Sequence, residues 1–531
     1  MSKWINLFFF SICFLFVSAV FSQPLNSRIG LLPIQLEQVL SSNLSNHTSI
    51  QPYRLNEMQL STNIDSAYLT LAFEQNLLKK KGSKAAIYLQ PYVQAVASGA
   101  IDYNENFLVS SGAGIDISAS FENKLAFGLT YARMLNDNLP YLANPHSSNF
   151  SPGMSDIKSV SNGIYHSQFF QTYLSYSPNK YFNFELGNGK QFIGEGYRSL
   201  LLSDNANNSP YFKLSVNFWR LSYTNIWAEH ETIYGNSQPN NFLYSSKFQK
   251  KYTASHYLDW NISNTFSVGL FETVVWQAKD SLYNRGFDIN YANPIIFYRP
   301  VEFSVGSPDN VLVGLNLKVK PIKRHIIYGQ ILLDEFLLNE IKADVNNLIK
   351  EDTSKKSRWW GNKYGIQIGW KGFWDINGGA MRTRLEFNLV RPYTYAHSSP
   401  VQSYTNYGQS LAHPNGANFS ELMVEVRYEK NRITINGAIF YLHQGRSGIL
   451  ENFGDNPNIS NISRNSDYGN DLHQGKEIES LTTSLNVSYR LFLESNLQLF
   501  AGVWNRSFSG KNITLFSLGL RTDLFRMSQE Q

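Results

Sequence analysis

Apolar and polar side chains alternate along long stretches of the chain. In NVLVGLNLKVK, at 310–320, apolar residues occupy every second position from Val311 to Val319, and Lys318 lies between two of them. PYFKLSVNFW and the last apolar segment, which contains Arg521, have the same period. A period of two predicts β-strands with one apolar and one polar face. A soluble β-sandwich with one wet face would produce the same alternation.

The lengths of the connections distinguish these two architectures. The turns SPNK, NFWR, KPIKR and YEKNR are short, whereas the connections at 136–166, 193–209, 230–252, 277–309, 336–362, 393–416 and 446–479 are long and polar. Outer membrane barrels alternate short turns with long outer loops in this way. A basic side chain on the lipid face at mid-bilayer costs roughly 2–4 kcal/mol, so the lysines and arginines should point inward.

We therefore predict an all-β fold, a transmembrane antiparallel β-barrel of about eighteen strands across 85–525, which ends near Phe525. The predicted strands lie near 85–98, 107–120, 124–135, 167–177, 181–192, 210–218, 220–229, 253–262, 264–276, 310–320, 323–335, 363–374, 381–392, 417–429, 432–445, 480–491, 495–506 and 512–525.

The N-terminus predicts an exported protein. Residues 1–22 have the three parts of a signal peptide: a basic residue at Lys3, an apolar core, and small residues before a cleavage site at Gln23. Cys13, the one cysteine of the chain, lies within this segment. Residues 23–84 form a separate periplasmic segment, in which PIQLEQVLSSNL and NIDSAYLTLAFEQNLLKKKG have helical spacing. This segment is either a helical plug or a flexible leader.

Composition narrows the possible functions. The formal net charge is +5 over 531 residues, which is too weak and too dispersed to indicate nucleic acid as a partner. Neither GxSxG nor HExxH occurs, and no spacing joins Ser, His and Asp residues into a catalytic site. The loop acids Asp455, Asp467 and Asp471 lack the spacing of a known calcium loop. We predict no enzymatic activity, no cofactor and no metal.

The segment GNGKQFIGEGYRSLLLSDNA, at 187–206, interrupts the strand pattern. If the alternation of YFNFEL continued, Lys190 would point to lipid, so Gly187 and Gly189 predict a bulge that turns Lys190 inward. The stretch from Gly194 to Ser199 lacks the third glycine of a dinucleotide fingerprint, and no βαβ unit surrounds it.

This segment also carries a resemblance to a known family. Together with NPIIFYRPVEFSVGSPDN, YGQILLDEF, and RPYTYAH leading to NYGQSLAHPNGANFSEL, it resembles the Wzi-type capsule-assembly proteins of the outer membrane. Within them it looks most similar to the gliding-motility branch of RemB in the Bacteroidota. The resemblance covers 180–445 and implies an eighteen-stranded barrel with helices at the periplasmic mouth. It implies structural or lumen-facing roles for the motif residues Gly187, Gly189, Lys190, Gly194, Gly196, Arg198 and Asn205.

The long outer loops are predicted to carry the function. Aromatic rings beside amides and charges suit sugars, whose C–H faces stack on rings while their hydroxyls form hydrogen bonds. The candidate carbohydrate-binding residues are Arg391, Tyr393, Tyr395, His397, Trp359, Trp360 and Tyr468. For the two tryptophans, an aromatic girdle at the membrane interface is the alternative. Tyr393 and Tyr395 share parity, so they would form a two-ring platform if the strand persists beyond Pro392.

We therefore predict a protein of the cell outer membrane that binds or organises surface polysaccharide and supports gliding or adhesion. The expected partners are outer membrane lipid, surface polysaccharide, and proteins of the gliding or secretion machinery. A general diffusion porin is the alternative, and an outer membrane hydrolase is a more remote one. A packed lumen with a helical cap would favour the binder, and an open lumen would favour the porin.

Overall fold

The structure of the chain is a computed structural model. It describes residues 32–42, 46–53, 78–81, 84–101, 107–122, 124–137, 153, 158–161, 164–234, 247–279, 284–295, 309–335, 339–340, 342, 358–448, 450–492, 497–508 and 510–522. The predicted signal peptide, with Cys13, and the predicted final residue of the barrel, Phe525, lie outside these ranges. Within them, no helix has both the length and the apolar character needed to cross a bilayer.

The described chain is mostly β-strand, preceded by helix α1 (Ile34–Ser42). The strands in chain order are β1 (Ile50–Gln51), β2 (Leu78–Lys81), β3 (Ala85–Ile101), β4 (Phe107–Phe121), β5 (Leu125–Asp137), β6 (Lys158–Ser161), β7 (Ile164–Tyr176), β8 (Phe182–Gly189), β9 (Phe192–Ile193), β10 (Ser209–Phe218), β11 (Leu221–Tyr234), β12 (Lys247–Trp260), β13 (Phe266–Gln277), β14 (Asn310–Val319), β15 (His325–Glu335), β16 (Lys363–Ile376), β17 (Gly379–Val390), β18 (Thr405–Asn406), β19 (Gln409–Ser410), β20 (Phe419–Lys430), β21 (Ile433–Arg446), β22 (Lys476–Arg490), β23 (Leu497–Phe508) and β24 (Lys511–Thr522). Three 3-10 helices lie in the described loops, at Ile289–Ala292, Pro400–Gln402 and Asn461–Ser463.

Eighteen of these strands close into an antiparallel barrel, as the sequence predicted. The wall consists of β3–β5, β7, β8, β10–β17 and β20–β24, and β24 pairs with β3 to complete it. Each predicted strand corresponds to one wall strand, with ends that differ by a few residues. Short turns join the strands at one end, called here the inner end, and long loops join most of them at the outer end.

The two faces of the wall have opposite chemistry. On β16, Ile366 and Ile368 point outward and are 42% and 58% exposed, whereas Gln367 between them points inward and is buried. Exposed aromatic residues, among them Trp219 and Trp260, surround the inner end of the barrel. An apolar outer band with an aromatic girdle is the surface that a bilayer requires. The protein is therefore a barrel of the outer membrane type, in the outer membrane.

One part of the outer wall is covered by the chain itself. Residues 284–295 lie outside β11–β14, where buried Tyr291 packs against Trp276, with ring centroids 4.7 Å apart. The indole of Trp227 donates to the carbonyl of Tyr291 at 2.7 Å, and the hydroxyl of Tyr223 donates to the carbonyl of Pro294 at 2.6 Å. This external flap replaces lipid contact over four strands.

The N-terminal segment is helical in one of the two predicted places. The stretch PIQLEQVLSSNL contains α1, in agreement with the helical spacing. The second predicted helix is wrong at its lysine-rich end, because Leu78–Lys81 forms β2 and pairs with residues 86–89 of β3. There β3 extends beyond β24, whose pairing with β3 ends at Gln94, so the free edge offers hydrogen bonds that a helix end would leave unused. The remainder of that stretch lies outside the described residues.

Helix α1 lies inside the inner end of the barrel and is held there by charge. Ile34 packs with Ile326, Tyr328, Phe373 and Ala380 of the wall. The buried carboxylate of Glu37 accepts a hydrogen bond from Arg382, lies 3.1 Å from Lys371 Nζ and is 3.8 Å from Arg384. Burial alone would raise the pKa of Glu37, but these three cations lower it to about 2. The carboxylate therefore stays charged and paired at neutral pH.

Replacing Glu37 with alanine should destabilise the barrel strongly, because Arg382, Lys371 and Arg384 would be left without their shared counter-charge. Breaking a buried pair on one side costs about 3–5 kcal/mol. The free energy of unfolding in urea, measured on the refolded protein in micelles, checks this. In the wild type, this contribution should weaken as the pH falls below the unfolded value and vanish near the folded pKa of about 2.

The matched control for this variant is Lys84→Ala, which removes an ion pair with Glu122 at an exposed turn. Such a surface pair contributes less than about 1 kcal/mol. Equal effects of the two substitutions would contradict a role for α1 as a charge-anchored plug.

Candidate site in the lumen and at the outer end

The N-terminal segment continues from α1 into the lumen and pairs with a second inserted segment. We call residues 34–42 and 46–53 the plug and residues 190–208, which leave the wall between β8 and β10, the crossing segment. Strand β1 of the plug pairs with β9 of the crossing segment. Glu195 accepts hydrogen bonds from Thr48 at 2.5 Å and from Lys318 of the wall at 2.9 Å. One buried carboxylate thus joins plug, crossing segment and wall.

The glycine-rich turn of the crossing segment binds a wall carboxylate. Backbone N–H groups of Tyr197 and Arg198 donate to Glu386 at 2.7 and 3.0 Å. A Cβ on Gly196 would stand 2.5 Å from the Glu386 carboxylate, so only glycine allows this approach. Gly194 has a φ of +145°, a conformation that favours glycine, and its N–H donates to the Ser49 carbonyl. The two glycines are therefore structural, and the turn is not a phosphate loop.

A third segment lies on top of the crossing segment. Residues 391–418, called here the roof loop, contain His413, which lies 2.9 Å from the Glu421 carboxylate that also attracts Arg198. The Asn205 amide donates to the carbonyl of Ser410. The hydroxyl of Tyr395 donates to the carbonyl of Leu200 at 2.9 Å. Plug, crossing segment and roof loop thus form a stack in the lumen against β8–β21.

The remaining motif residues differ partly from expectation. The ammonium of Lys190 donates to the carbonyls of Gly153 and Asp204. The predicted bulge is wrong, because β8 pairs regularly with β10 up to Gly189 and the chain then leaves the wall. Gly187 makes room for a neighbour, since a Cβ there would lie 2.9 Å from the hydroxyl of Tyr211.

The predicted two-ring platform is not formed. Tyr393 and Tyr395 are 1% and 0% exposed, and both have positive φ, so the strand does not persist beyond Pro392. The hydroxyl of Tyr393 donates to the carbonyl of Asn452, whereas the Tyr395 ring stacks on Tyr404 within the roof loop. The two rings hold the roof loop in place instead of facing solvent.

Arg391 and His397 are also buried in the roof. Arg391 donates to the carbonyls of Asn362 and Trp359, at 3.1 and 3.3 Å, and thereby fixes the loop that carries both tryptophans. Burial, and then the charge of Lys363, lowers the pKa of His397 to about 4. The imidazole is therefore neutral at neutral pH and offers no cation to an acidic sugar.

The remaining candidates come together on the outer surface. We call Trp359, Trp360, Arg464, Asp467 and Tyr468 the tryptophan patch. The two indoles lie 5.7 Å apart, and the Arg464 guanidinium lies 4.1 Å from the centre of the Trp360 ring. The N–H of Trp360 donates to the carbonyl of Asp467, which binds the two loops together. Both tryptophans and Tyr468 are half-buried.

The position of Trp360 separates the patch from a lipid-facing girdle. Its ring meets the edge of buried Tyr393 at 6.3 Å, and the inward-pointing ammonium of Lys363 lies 5.8 Å from it. An adjacent exposed ion pair joins Arg358 to Asp471. Half-exposed rings thus lie beside guanidinium and carboxylate groups, an arrangement that can stack on a sugar face and bind its hydroxyls.

The charged residues that anchor the stack were not among the predicted site residues. Arg382, Arg384 and Glu386 alternate on the inner face of β17, and Glu421 and Glu425 do so on β20. So many inward-pointing charges require oppositely charged partners within the lumen. The alternating charges in the segments RTRLEFNLV and FSELMVEV could have indicated such partners from the sequence. Among the described residues, no three His, Cys, Asp or Glu side chains are grouped so that they could hold a metal ion.

These features define an outer membrane barrel whose lumen is partly filled by its own chain and roofed at the outer end. No protein-family model matches the chain, and no curated protein matches it.

Solved structures with similar folds include a capsule-assembly protein and several porins. Wzi of Escherichia coli, described as a carbohydrate-binding barrel involved in group 1 capsule assembly, is 11% identical, with a TM-score of 0.47 over 80% of this chain and 83% of that one. OccK8 (OprE) of Pseudomonas aeruginosa is 9% identical, with a TM-score of 0.41 over 83% and 98%. A BenF-like porin of Pseudomonas fluorescens is 9% identical, with a TM-score of 0.42 over 82% and 98%. At this level the likeness carries no argument about a ligand.

Replacing Gly196 with alanine should loosen the crossing segment, because the new methyl group would collide with the Glu386 carboxylate. Overpacking of this kind costs about 1–3 kcal/mol. The free energy of unfolding and the rate of proteolysis within 190–208 measure the effect. Gly437→Ala is the control, since the nearest atoms to its Cβ are 3.8 Å away. Equal stability of both variants would argue against this docking.

Proposed function

We propose that the protein binds surface polysaccharide at its outer end without chemical turnover, and that it is not a general diffusion porin. The observation that carries this proposal is the stack of plug, crossing segment and roof loop, which fills the lumen against β8–β21 and supports the tryptophan patch above it.

Burial within the stack argues against a wide pore. Inward-facing Lys371, Arg382 and Glu386 are at most 1% exposed, and each contacts an inserted segment or a charged neighbour. A channel for general diffusion would leave such side chains in water. The ion pairs that bury them would also have to break before the inserted segments could move aside.

The tryptophan patch supports carbohydrate as the ligand. Its rings are held by backbone hydrogen bonds and by Arg391, so their positions are set before a ligand arrives. A preformed platform binds a sugar with little loss of conformational entropy. A structural role in packing the two outer loops is the competing interpretation, and binding measurements decide between them.

Gliding and adhesion remain predictions from the motifs that resemble the RemB branch. A protein that holds surface polysaccharide would support either by keeping the polymer attached to the cell. Loss of retained polysaccharide in a deletion strain, measured together with motion, would link the two. Full retention in that strain would contradict the proposed function.

The purified full-length protein should show no large, steady conductance in planar lipid bilayers, because three segments occupy much of the lumen. Single-channel recording at neutral pH measures this directly. A diffusion porin of known conductance, recorded in the same membranes, is the control. Stable openings of porin size would favour the transport alternative.

Replacing Trp359 and Trp360 together with alanine should weaken polysaccharide binding. A stacking ring contributes about 1 kcal/mol, so the pair should account for an affinity loss of about tenfold or more. Binding of purified surface polysaccharide to the protein in micelles measures this. Trp260→Ala, which removes an exposed indole at the opposite end of the barrel, should bind like the wild type. Unchanged affinity of the double variant would reduce the patch to loop packing.

A further inference from the structure

The two indoles of the tryptophan patch have different surroundings. The guanidinium of Arg464 lies over the ring of Trp360, 4.1 Å from its centre, and the buried ring of Tyr393 is perpendicular to it, with centroids 6.3 Å apart. In the part of the chain that the structure describes, Trp360 is the only aromatic ring in contact with Trp359, and no cation lies over Trp359. Trp359 is therefore the indole that is better placed to contact a ligand.

A glycine determines the position of the Trp359 ring. A Cβ on Gly361 would lie 2.3, 2.4 and 2.7 Å from three carbons of the six-membered ring of Trp359, so this ring rests directly on the backbone of Gly361. The carbonyl of Trp359 accepts a hydrogen bond from Arg391 at 3.3 Å. The chain itself thus fixes Trp359 on one side, and the opposite face of the indole points away from Gly361.

Both cations that lie over the ring of Trp360 are matched by carboxylates. The Nε and Nη2 atoms of Arg464 each lie 2.7 Å from a carboxylate oxygen of Asp467. The ammonium of Lys363, 5.8 Å from the Trp360 ring, lies 3.3 Å from the carboxylate of Asp334. Neither cation needs an anionic ligand to balance its charge.

The surface around Trp359 offers more acceptors than cations. Arg358 pairs with Asp471, and the two side chains are about equally exposed. In the other pair, the side chain of Asp467 is 59% exposed, whereas that of Arg464 is only 23% exposed. A ligand here meets carboxylate oxygens, which accept hydrogen bonds from hydroxyl groups. Among the described residues of this surface, it meets no exposed cation that lacks a carboxylate.

We propose that the tryptophan patch binds an uncharged stretch of polysaccharide, with one sugar ring stacked on Trp359 and sugar hydroxyls donating to the carboxylate of Asp467. The proposal rests on the proposed function and deepens it by naming the class of sugar and the ring that contacts it. A neutral sugar presents C–H groups to the indole and hydroxyl donors to the carboxylates. An acidic sugar would bring its own carboxylate beside Asp467 and Asp471, and like charges brought together at an interface oppose binding.

Binding of labelled oligosaccharides of equal length to the full-length protein in micelles tests the class of sugar. The neutral probes are cello- and malto-oligosaccharides, and the acidic probe is oligogalacturonate. The wild type should bind at least one neutral probe more tightly than the acidic one. Added salt should change this affinity little, because the contacts are not ionic.

Asp467→Asn should shift the preference toward the acidic probe, because Arg464 would then lack its carboxylate. The affinity for oligogalacturonate should rise about twofold to fivefold and should become sensitive to salt. The new amide oxygen still accepts hydroxyl groups, so binding of the neutral probes should fall little. Glu122→Gln is the control, since it makes the same change of charge at an exposed turn of the inner end and should leave the preference unchanged.

Gly361→Ala tests the role of Trp359 while both indoles are retained. The added methyl group would displace the Trp359 ring, so the affinity for the neutral probe should fall about fivefold, the contribution of one stacking ring. Gly448→Ala is the matched control in another outer loop, because its Cβ would lie 3.4 Å from the nearest atom, an ordinary contact. If Gly361→Ala fails to fold, as judged by its shift on unheated gels, Trp359→Leu should show the same loss.

The outcomes separate the two proposals. The assignment of an uncharged sugar to Trp359 is overturned by tighter binding of oligogalacturonate than of both neutral probes, or by no binding of either neutral probe. An unchanged preference in Asp467→Asn, or wild-type affinity in the folded variants of Gly361 and Trp359, overturns it as well. Binding of the native surface polysaccharide to the wild type would then still support the proposed function. If the native polysaccharide does not bind, the proposed function fails and this assignment fails with it.

Discussion

Charge on the inner wall has to be neutralised once the barrel closes, and most of the interior follows from this constraint. Arg382, for example, is buried between Glu37 of helix α1 and Glu425 of the neighbouring strand β20. Glu386 is buried beneath two backbone N–H groups of a glycine turn. Neither side chain could be so fully buried without inserted chain to pair with it, because an isolated charge in a low-dielectric interior is very costly. The wall and its contents therefore form one electrostatic unit.

This packing explains why several residues that were predicted to lie on the outer surface are buried instead. Tyr395 holds the roof loop against the crossing segment, and Arg391 holds it against the loop that carries Trp359 and Trp360. Both residues therefore affect the outer surface only indirectly, through the loops that they fix in place. Of the rings that remain partly exposed, Trp359 and Trp360 belong to the end of the long loop that precedes β16. The functional surface is consequently narrower than the list of aromatic residues in the outer loops implied.

The sequence was most informative where the physical rule is local. Alternation with a period of two is imposed by the pleat, so the eighteen wall strands could be located closely from residues such as Val311–Val319. Inward charges on β17 could have indicated a filled lumen, but their partners could not be named, since Glu37 and Arg382 are 345 residues apart. The backbone at Tyr393 reversed after Pro392 for a similar reason, because a hydrogen bond to Gly454 of a different loop holds it there.

The order of the chain also constrains how the molecule assembles. The plug is made before any wall strand, yet the charge partners of its Glu37 lie on β16 and β17, and the first wall strand closes the barrel only by pairing with the last. Contacts of such sequence separation carry a large loop-closure entropy and form slowly. The plug is synthesised before these strands. Its Glu37 therefore stays unpaired in water until the strands that carry its partners have formed. Anything that shields this leader during that interval acts on the rate of folding and not on the final stability.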